Sequence, residues 1–477
     1  MARLGVGLTY VRGLERLLEE CGDRLDVIEV EPQTFWRSRP DGTVATDHEA
    51  LRRLADLPGA RLLHGVGNPV GGSVLPDAEH TALVGELAEQ LAVPWVSEHL
   101  AFNRVGDAGG GGTGFRTGFM LPPRQTPAGV RRSVRSVRAM AEALPVPLAV
   151  ELGTNYLRPR ADELSDGAFA ARVAEGADCG LLLDLHNVLA NERNGRGSVD
   201  ALLAELPLDR VLEVHLAGGF EHRGYWLDAH SGLPDEDLIR LAGRVLPRLP
   251  ALRAVLFEVT ASAAPGLEAG AVRELTDRLR ELWPAAAVAA PAPLRRPDPA
   301  VPGAGPEEWE AALGGLAVGR EPRTVLEREL AADPAVGLLR ELILEFRAGA
   351  LAGTLVHTVR LLLLTLGEAG VRELIAEYAR RRTPELFATE EAFAFAEHLR
   401  RCRPAVPLLP DVLELDLGLM LVRLDGEPRT VTVGTDPTVL LTELGAGRLP
   451  VDPPRGSYRL RLVDDRAEAG RPALSSS

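Results

Sequence analysis

The chain has 477 residues, of which 45% are hydrophobic and 25% charged, and a formal net charge of −15. That length exceeds one ordinary core, so two globular domains are expected. The acidic balance lacks the basic footprint of a protein that grips nucleic acid through phosphates. Every basic residue is arginine, which leaves out Schiff-base chemistry and the phosphate-loop lysine. Cys21, Cys179 and Cys402 are too few and too scattered for a disulfide framework or a thiolate zinc site. No basic-then-apolar leader opens the chain, and no run of about 18 apolar residues occurs. These features predict a cytoplasmic protein with neither a membrane nor a nucleic acid as partner.

Eight short apolar runs occupy the first 260 residues: Leu4–Leu8, Val27–Glu31, Arg61–His64, Pro94–His99, Pro147–Glu151, Gly180–Asp184, Val211–Leu216 and Ala254–Val259. Amphipathic segments separate most of them, among them Leu14–Cys21, Thr81–Leu91, Gly129–Leu144, Phe169–Glu175 and Leu238–Leu249. Alternation of this kind implies a parallel sheet, and eight units over roughly 250 residues is the size of a closed (β/α)8 TIM barrel. The GGGG run at Gly109–Gly112 reads as a surface loop, and Gly65 and Gly67 as points where backbone passes close to a site.

The predicted division is a barrel over 1–284, a Pro/Ala-rich linker over 285–305, a mainly helical α+β domain over 306–465 and a disordered tail over 466–477. Helices are expected at Glu307–Leu316, Thr324–Leu330, Val336–Arg347, Gly353–Leu366, Gly370–Arg380 and Glu390–Arg400. The following stretch is ambiguous between helix and hairpin, with Asp425-Gly426 favouring a hairpin over its later part. Tyr458–Val463 is a final alternating run.

In a TIM barrel, chemistry sits at the C-terminal ends of the strands. Six of the predicted strands end on or beside a metal-capable residue: His64, His99, Glu151, Asp184, His215 and Glu258. Each alone reads more simply as a core histidine or an ion-paired acid, but their common register brings them to one ring. The stretch Val214–His230 adds Asp228 and His230, two apart, from the seventh loop. Packed together, Glu151, Asp184, Asp228 and Glu258 could not all stay ionised at neutral pH without cations. About two or three divalent ions would neutralise them, and mixed imidazole and carboxylate donors suit iron, zinc or manganese.

The segments LHGVGNPVGGS (63–73), SEHLAFN (97–103), ELGTNYL (151–157), LLLDLHNVLAN (181–191), VHLAG (214–218), LDAHSG (227–232) and FEV (257–259) fall in the order seen in the DUF692 family. The chain resembles these multinuclear non-heme iron-dependent oxidative enzymes over about Leu4–Pro265, and also looks like endonuclease IV in its ligand order. The resemblance implies a xylose isomerase/endonuclease IV-like barrel that oxidises residues, most often cysteine, of a ribosomally made precursor peptide. It implies Fe2+/Fe3+ as cofactor, with O2 as co-substrate. By the same likeness His64, His99 and a bridging Glu151 hold one metal, and Asp184, His215 and Glu258 complete a second. Asp228, His230 and Asn187 hold a third, with His186 a competing ligand. The chain departs from the family at Glu31-Pro32-Gln33-Thr34 and at Leu152-Gly153, which puts substrate in question more than chemistry. The C-terminal half faintly resembles the family's separate partner proteins, so it is expected either to present the peptide or to serve as a packing domain. Other readings are a trinuclear zinc phosphodiesterase, disfavoured by the acidic balance and by Asn187, a sugar isomerase, whose usual lysine is missing, and a metal-binding scaffold without chemistry.

Overall fold

The computed structural model describes residues 2–11, 13–38, 43–55, 57–107, 114–283 and 292–463. Its first half is a closed barrel of eight parallel strands. They are β1 (Gly5–Tyr10), β2 (Val27–Val30), β3 (Ala60–Gly65), β4 (Val96–His99), β5 (Leu148–Glu151), β6 (Gly180–Asp184), β7 (Val211–Ala217) and β8 (Ala254–Glu258). Each pairs in parallel with its neighbours in sequence, and β8 closes on β1. The strands are short and almost wholly buried, as strands covered on both faces must be. Asp77, Thr126, Ser198 and Asp235 each cap a helix by accepting a backbone N–H, which starts the outer layer at defined points.

Side-chain alternation explains the barrel interior. Val27, Leu62, Trp95, Ala149, Ala254 and Leu256 form an apolar plug. Two residues on from Val27, Leu62, Ala149 and Leu256 stand Glu29, His64, Glu151 and Glu258. A period of two therefore lifts each strand from an apolar floor to a polar layer at the mouth. The outer shell, between strands and helices, is a separate and larger core.

Residues 292–305 are irregular and run along the barrel. Leu294 N donates to Ala204 O at 2.7 Å, and Arg295 pairs with Glu175. Beyond them lie helices Pro306–Ala317, Val325–Ala331, Pro334–Thr354, Val356–Arg381, Ala388–Cys402, Leu409–Asp425 and Pro437–Gly445. Gly353–Leu366 and Gly370–Arg380 were expected as separate helices. Two helices do occupy Val356–Arg381, broken between them at Gly367 (φ 70°, ψ 172°). The ambiguous stretch is a helix through Asp425, and Gly426 is its left-handed cap (φ 73°) rather than a hairpin turn. The hairpin forms later: β9 (Arg429–Thr435) pairs with β10 (Arg455–Leu462) across an intervening helix. Leu409, Val412, Leu413 and Met420 face a core, so tertiary burial overrides the local turn signal.

The two halves share a core. Helix Pro306–Ala317 packs on the hairpin formed by Phe102–Val105 and Phe115–Leu121, joining Trp309, Leu313 and Leu316 to Phe102, Leu121, Tyr156 and Leu227. The GGGG run and the tail from 466 lie outside the described residues. No single described helix is long and apolar enough to cross a membrane.

Candidate metal centre

The strand ends converge. His99 lies opposite Glu151 in the sheet, and Asp184 opposite His215. His64 Nε2 stands 3.2 Å and His99 Nε2 3.4 Å from Glu151 Oε2. His215 Nδ1 is 3.1 Å from Glu258 Oε2, and His230 Nε2 is 3.3 Å from the same oxygen and 2.8 Å from Asp228 Oδ1. Three sets have donor atoms close enough to share an ion: His64, His99 and Glu151; Glu29, His215 and Glu258; Asp184, His230 and Glu258.

His186 and Asn187 sit on a helix, Leu185–Arg193, that starts directly after Asp184. Strand alternation therefore stops at Asp184, whose Oδ1 caps the helix by accepting from Asn187 N at 3.0 Å. The Asn187 amide donates to Glu151 Oε1 at 2.8 Å, and its carbonyl oxygen accepts from Thr154 Oγ1 at 2.7 Å. His186 Nε2 approaches Leu227 O at 3.3 Å and Asp228 Oδ1 at 3.9 Å. Asn187 thus faces the first set, while His186 faces Asp228 and His230. Gly219 lets the seventh loop close over His186, since a Cβ there would lie 2.4 Å from the ring. His222 points elsewhere, to Glu341 of the C-terminal half at 3.4 Å.

Electrostatics set this ring apart. Burial pushes the Glu151 carboxyl up to about 8 despite His99 beside it, and the charge of Asp184 adds to the shift. Burial opposes charge on His99, but Glu151 and Glu98 outweigh it and raise the ring to about 10. Burial holds His64 well below the usual histidine range, helped by His99 and His215. Burial raises Asp184 too, as do Glu258 and Asp228. Against burial, His215 and His230 hold Glu258 well below the usual carboxylate range.

A fit to metal ions follows from what these groups lack. Glu29 Oε1, Glu98 Oε2, Glu151 Oε2, Asp184 Oδ2, Glu213 Oε1, both His215 nitrogens, Asp228 Oδ1 and His230 Nε2 are buried with no hydrogen-bond partner. Several of them face an opposite charge without a hydrogen-bonding angle, and so many buried polar atoms without a hydrogen bond are costly to the folded chain. Cations coordinated by these atoms would remove the penalty, and the oxygen and imidazole donors suit a borderline divalent metal.

The chain matches the family described as RiPP precursor modification enzyme MbnB/TglH/ChrH over residues 4–270, more than half its length. It belongs to that family. The UPF0276 protein of Streptomyces avermitilis is 34% identical over 208 residues, 43% of this chain and 43% of that protein. The alignment therefore spans less than half of that relative. The UPF0276 proteins of Chromobacterium violaceum and Anaeromyxobacter are 31% and 32% identical, covering 51% and 47% of this chain and 83% and 75% of theirs. Among solved structures, the IolI protein with a binding zinc atom matches 58% of this chain and 96% of its own, at 14% identity and TM-score 0.38. Endonuclease IV from Thermus thermophilus matches 58% and 99%, at 18% identity and TM-score 0.35. This family member carries its ring beside a solvent-open cleft. His99 and Asp228 stand at one side, with Phe119, Leu121, Leu152 and Tyr156 among its walls. Tyr156 Oη accepts from Asp228 N at 3.1 Å, tying wall to ligand.

Two features bear on the departures from the family pattern. Pro32–Phe35 forms a short 3-10 turn that sets Gln33 against Gly67, where a Cβ would lie 2.7 Å from its amide nitrogen. Leu152 and Gly153 line the cleft. Sequence reasoning missed Glu29 and Glu213, both fully buried beside His215. They lie before the last residue of their strands, so a rule that looks only at strand ends passes over them. The signal available was a carboxylate at an inward position of a fully apolar run.

Proposed function

We propose that this enzyme is a multinuclear iron oxidase that uses O2 to modify residues, cysteine foremost, of a ribosomally synthesised precursor peptide. The observation that carries the reading is the ring of buried, unpaired imidazole and carboxylate atoms opening on a largely apolar cleft, in a chain whose family modifies such peptides. In this reading His64, His99 and Glu151 hold one ion and Asp184, His215 and Glu258 a second. Asp228 and His230 hold a third with His186, the side chain that faces them, while Asn187 stays on Glu151. Bound iron would supply the redox equivalents and an open position for a soft thiolate.

The chain's own residues do the rest. Asn187 and Thr154 orient Glu151. Ser97 meets His64 Nδ1 at 2.8 Å and the Gly65 carbonyl meets His99 Nδ1 at 2.9 Å, so both rings present Nε2 to the centre. Phe119, Leu121, Leu152 and Tyr156 form apolar walls that would exclude water from a docked side chain. The hairpin bearing Phe119 and Leu121 is braced by helix Pro306–Ala317. This supports a C-terminal half that shapes the peptide entrance and takes the role of a partner protein.

Protein purified without oxygen and supplied with ferrous iron should retain about two to three irons. It should consume O2 only when a cysteine-bearing peptide is present. Zinc-only content together with nicking of abasic DNA would overturn the reading. Asp228→Ala and His230→Ala should each lose one metal equivalent with the far-UV circular dichroism unchanged.

A further inference from the structure

Two buried carboxylates stand against His215, and the family motifs single out neither. Glu29 on β2 and Glu213 on β7 are both 0% exposed. His215 Nε2 stands 3.1 Å from Glu29 Oε2 and 3.6 Å from Glu213 Oε1, while its Nδ1 faces Glu258 Oε2 at 3.1 Å. Both acids are anchored from other strands or the floor. Trp95 Nε1 donates to Glu213 Oε2 at 2.9 Å, and Thr9 Oγ1 donates to Glu29 Oε2 at 3.3 Å. Trp95 is the largest side chain of the apolar plug. Burying two acids against that plug is costly, so their place requires an explanation.

The other strand-end histidines suggest one. In His64 and His99, one nitrogen goes to a neighbouring strand (Ser97 Oγ, Gly65 O) and the other faces the mouth carboxylate Glu151. His215 divides its nitrogens in the same way with the two exchanged: Nδ1 toward Glu258, Nε2 toward Glu29 and Glu213. His99 Nδ1 has Glu98 Oε1 at 3.7 Å besides the Gly65 carbonyl, but only at His215 is the nearest outer partner a carboxylate. A ligating histidine whose other N–H meets a carboxylate has its tautomer and ring plane fixed and is a stronger donor.

We propose that Glu29, with Glu213 beside it, is a positioning residue: it stands 3.1 Å from His215 Nε2, a nitrogen with no hydrogen-bond partner in the metal-free chain, and takes its N–H when Nδ1 is the metal-facing nitrogen. The inference rests on the metal-centre reading but not on the oxidase reading. The Trp95–Glu213–His215 chain extends the design to the barrel floor, so the orientation of one ligand is set by the packing of the plug.

The test uses the full chain, Co(II) as probe, chelator competition and the visible Co(II) spectrum. Glu29→Ala should weaken one Co(II) equivalent by about 10–100-fold and change its spectrum, with the melting temperature of the metal-free chain as the folding control. Glu29→Gln keeps a neutral acceptor for Nε2–H and should bind within about threefold of the wild type, which is rescue by the conservative change. If Glu29→Gln loses a full equivalent as His215→Ala does, Glu29 is itself a ligand and the proposal is overturned. It is also overturned if Glu29→Ala keeps wild-type affinity and spectrum, or if the wild type retains no Co(II). Should Glu29→Ala not fold, Glu213→Gln and Trp95→Phe carry the test, and unchanged spectra in both overturn it. A chain that binds Co(II) as expected yet oxidises no peptide with iron leaves this inference standing and removes only the oxidase reading.

Discussion

In the C-terminal half, Arg347 Nε meets Glu391 Oε1 at 2.6 Å, and the other oxygen of Glu391 accepts from Glu385 N at 3.0 Å. Asp416 accepts from Thr358 N at 2.7 Å and faces His357 Nδ1 at 2.8 Å. At the barrel mouth, equally buried acids face imidazoles at 3.1–3.2 Å, with oxygens and nitrogens left without hydrogen bonds. Both regions bury charge. The first pairs its charges within the chain, with Arg347 Nη2 left over, whereas the second leaves both oxygens and nitrogens of its ring open. A satisfied buried charge is consistent with structure alone, whereas a ring of unsatisfied donors needs something from outside the chain. That contrast is why His357, with its own acid, is read as structural and His215 as a ligand.

The contrast can be broken or sharpened by experiment. The largest effect should come from metal. Saturating metal should stabilise the chain by about 4 kcal/mol per site at a thousandfold excess over Kd, or roughly 10 °C in calorimetry. A chelator should reverse it, and an unchanged melting temperature would remove the distinction between the regions. Next, Arg347→Ala strands Glu391 in the interior and should cost about 3–5 kcal/mol in urea unfolding, with metal content unchanged. Loss of metal in that variant would show the two regions to be coupled more tightly than by packing.

A smaller effect concerns the seam between the halves. Burial pushes the Glu310 carboxyl up to about 7, against the hydrogen bonds from Ser73. A raised carboxyl favours the folded state while protonated. Its contribution is complete below the unfolded value of about 4.5 and is lost as pH rises through 7. Metal-loaded protein should therefore lose about 1–3 kcal/mol between pH 5 and 8, and Glu310→Gln should flatten that slope in pH-resolved denaturation. The smallest effect is expected at His222. Its contact with Glu341 is half exposed, so His222→Ala should cost less than about 1 kcal/mol and leave every metal bound. A lost metal there would redraw the ligand set.

Much of the barrel was legible because each strand is a short apolar run and each boundary is chemical. All eight runs became strands, with ends shifted by a residue or two. The ring was legible because strand ends share a register. Asn187 and His186 were not, since their directions depend on a helix that begins at Leu185, and a strand rule does not apply past Asp184. The C-terminal helices were foreseen as far as Cys402, but Pro437–Gly445 was not, and the turn at Asp425-Gly426 was misread. A left-handed residue serves a helix cap as well as a hairpin, and only burial of Leu409–Met420 against a core decides between them.

By itself, the sequence determined the barrel, the inward register of His64, Glu151 and Glu258, and the acidity that would gather at one end. Those follow from the period of two and from hydrophobic runs, which are local. The tertiary structure alone decided that Glu29 and Glu213 stand against His215, that Asn187 turns to Glu151 while His186 turns to Asp228, and that the second half braces the wall of the cleft. Each of these is a meeting of residues far apart in the chain. It depends on how the barrel closes and on what the packing leaves unpaired, and no local pattern encodes that.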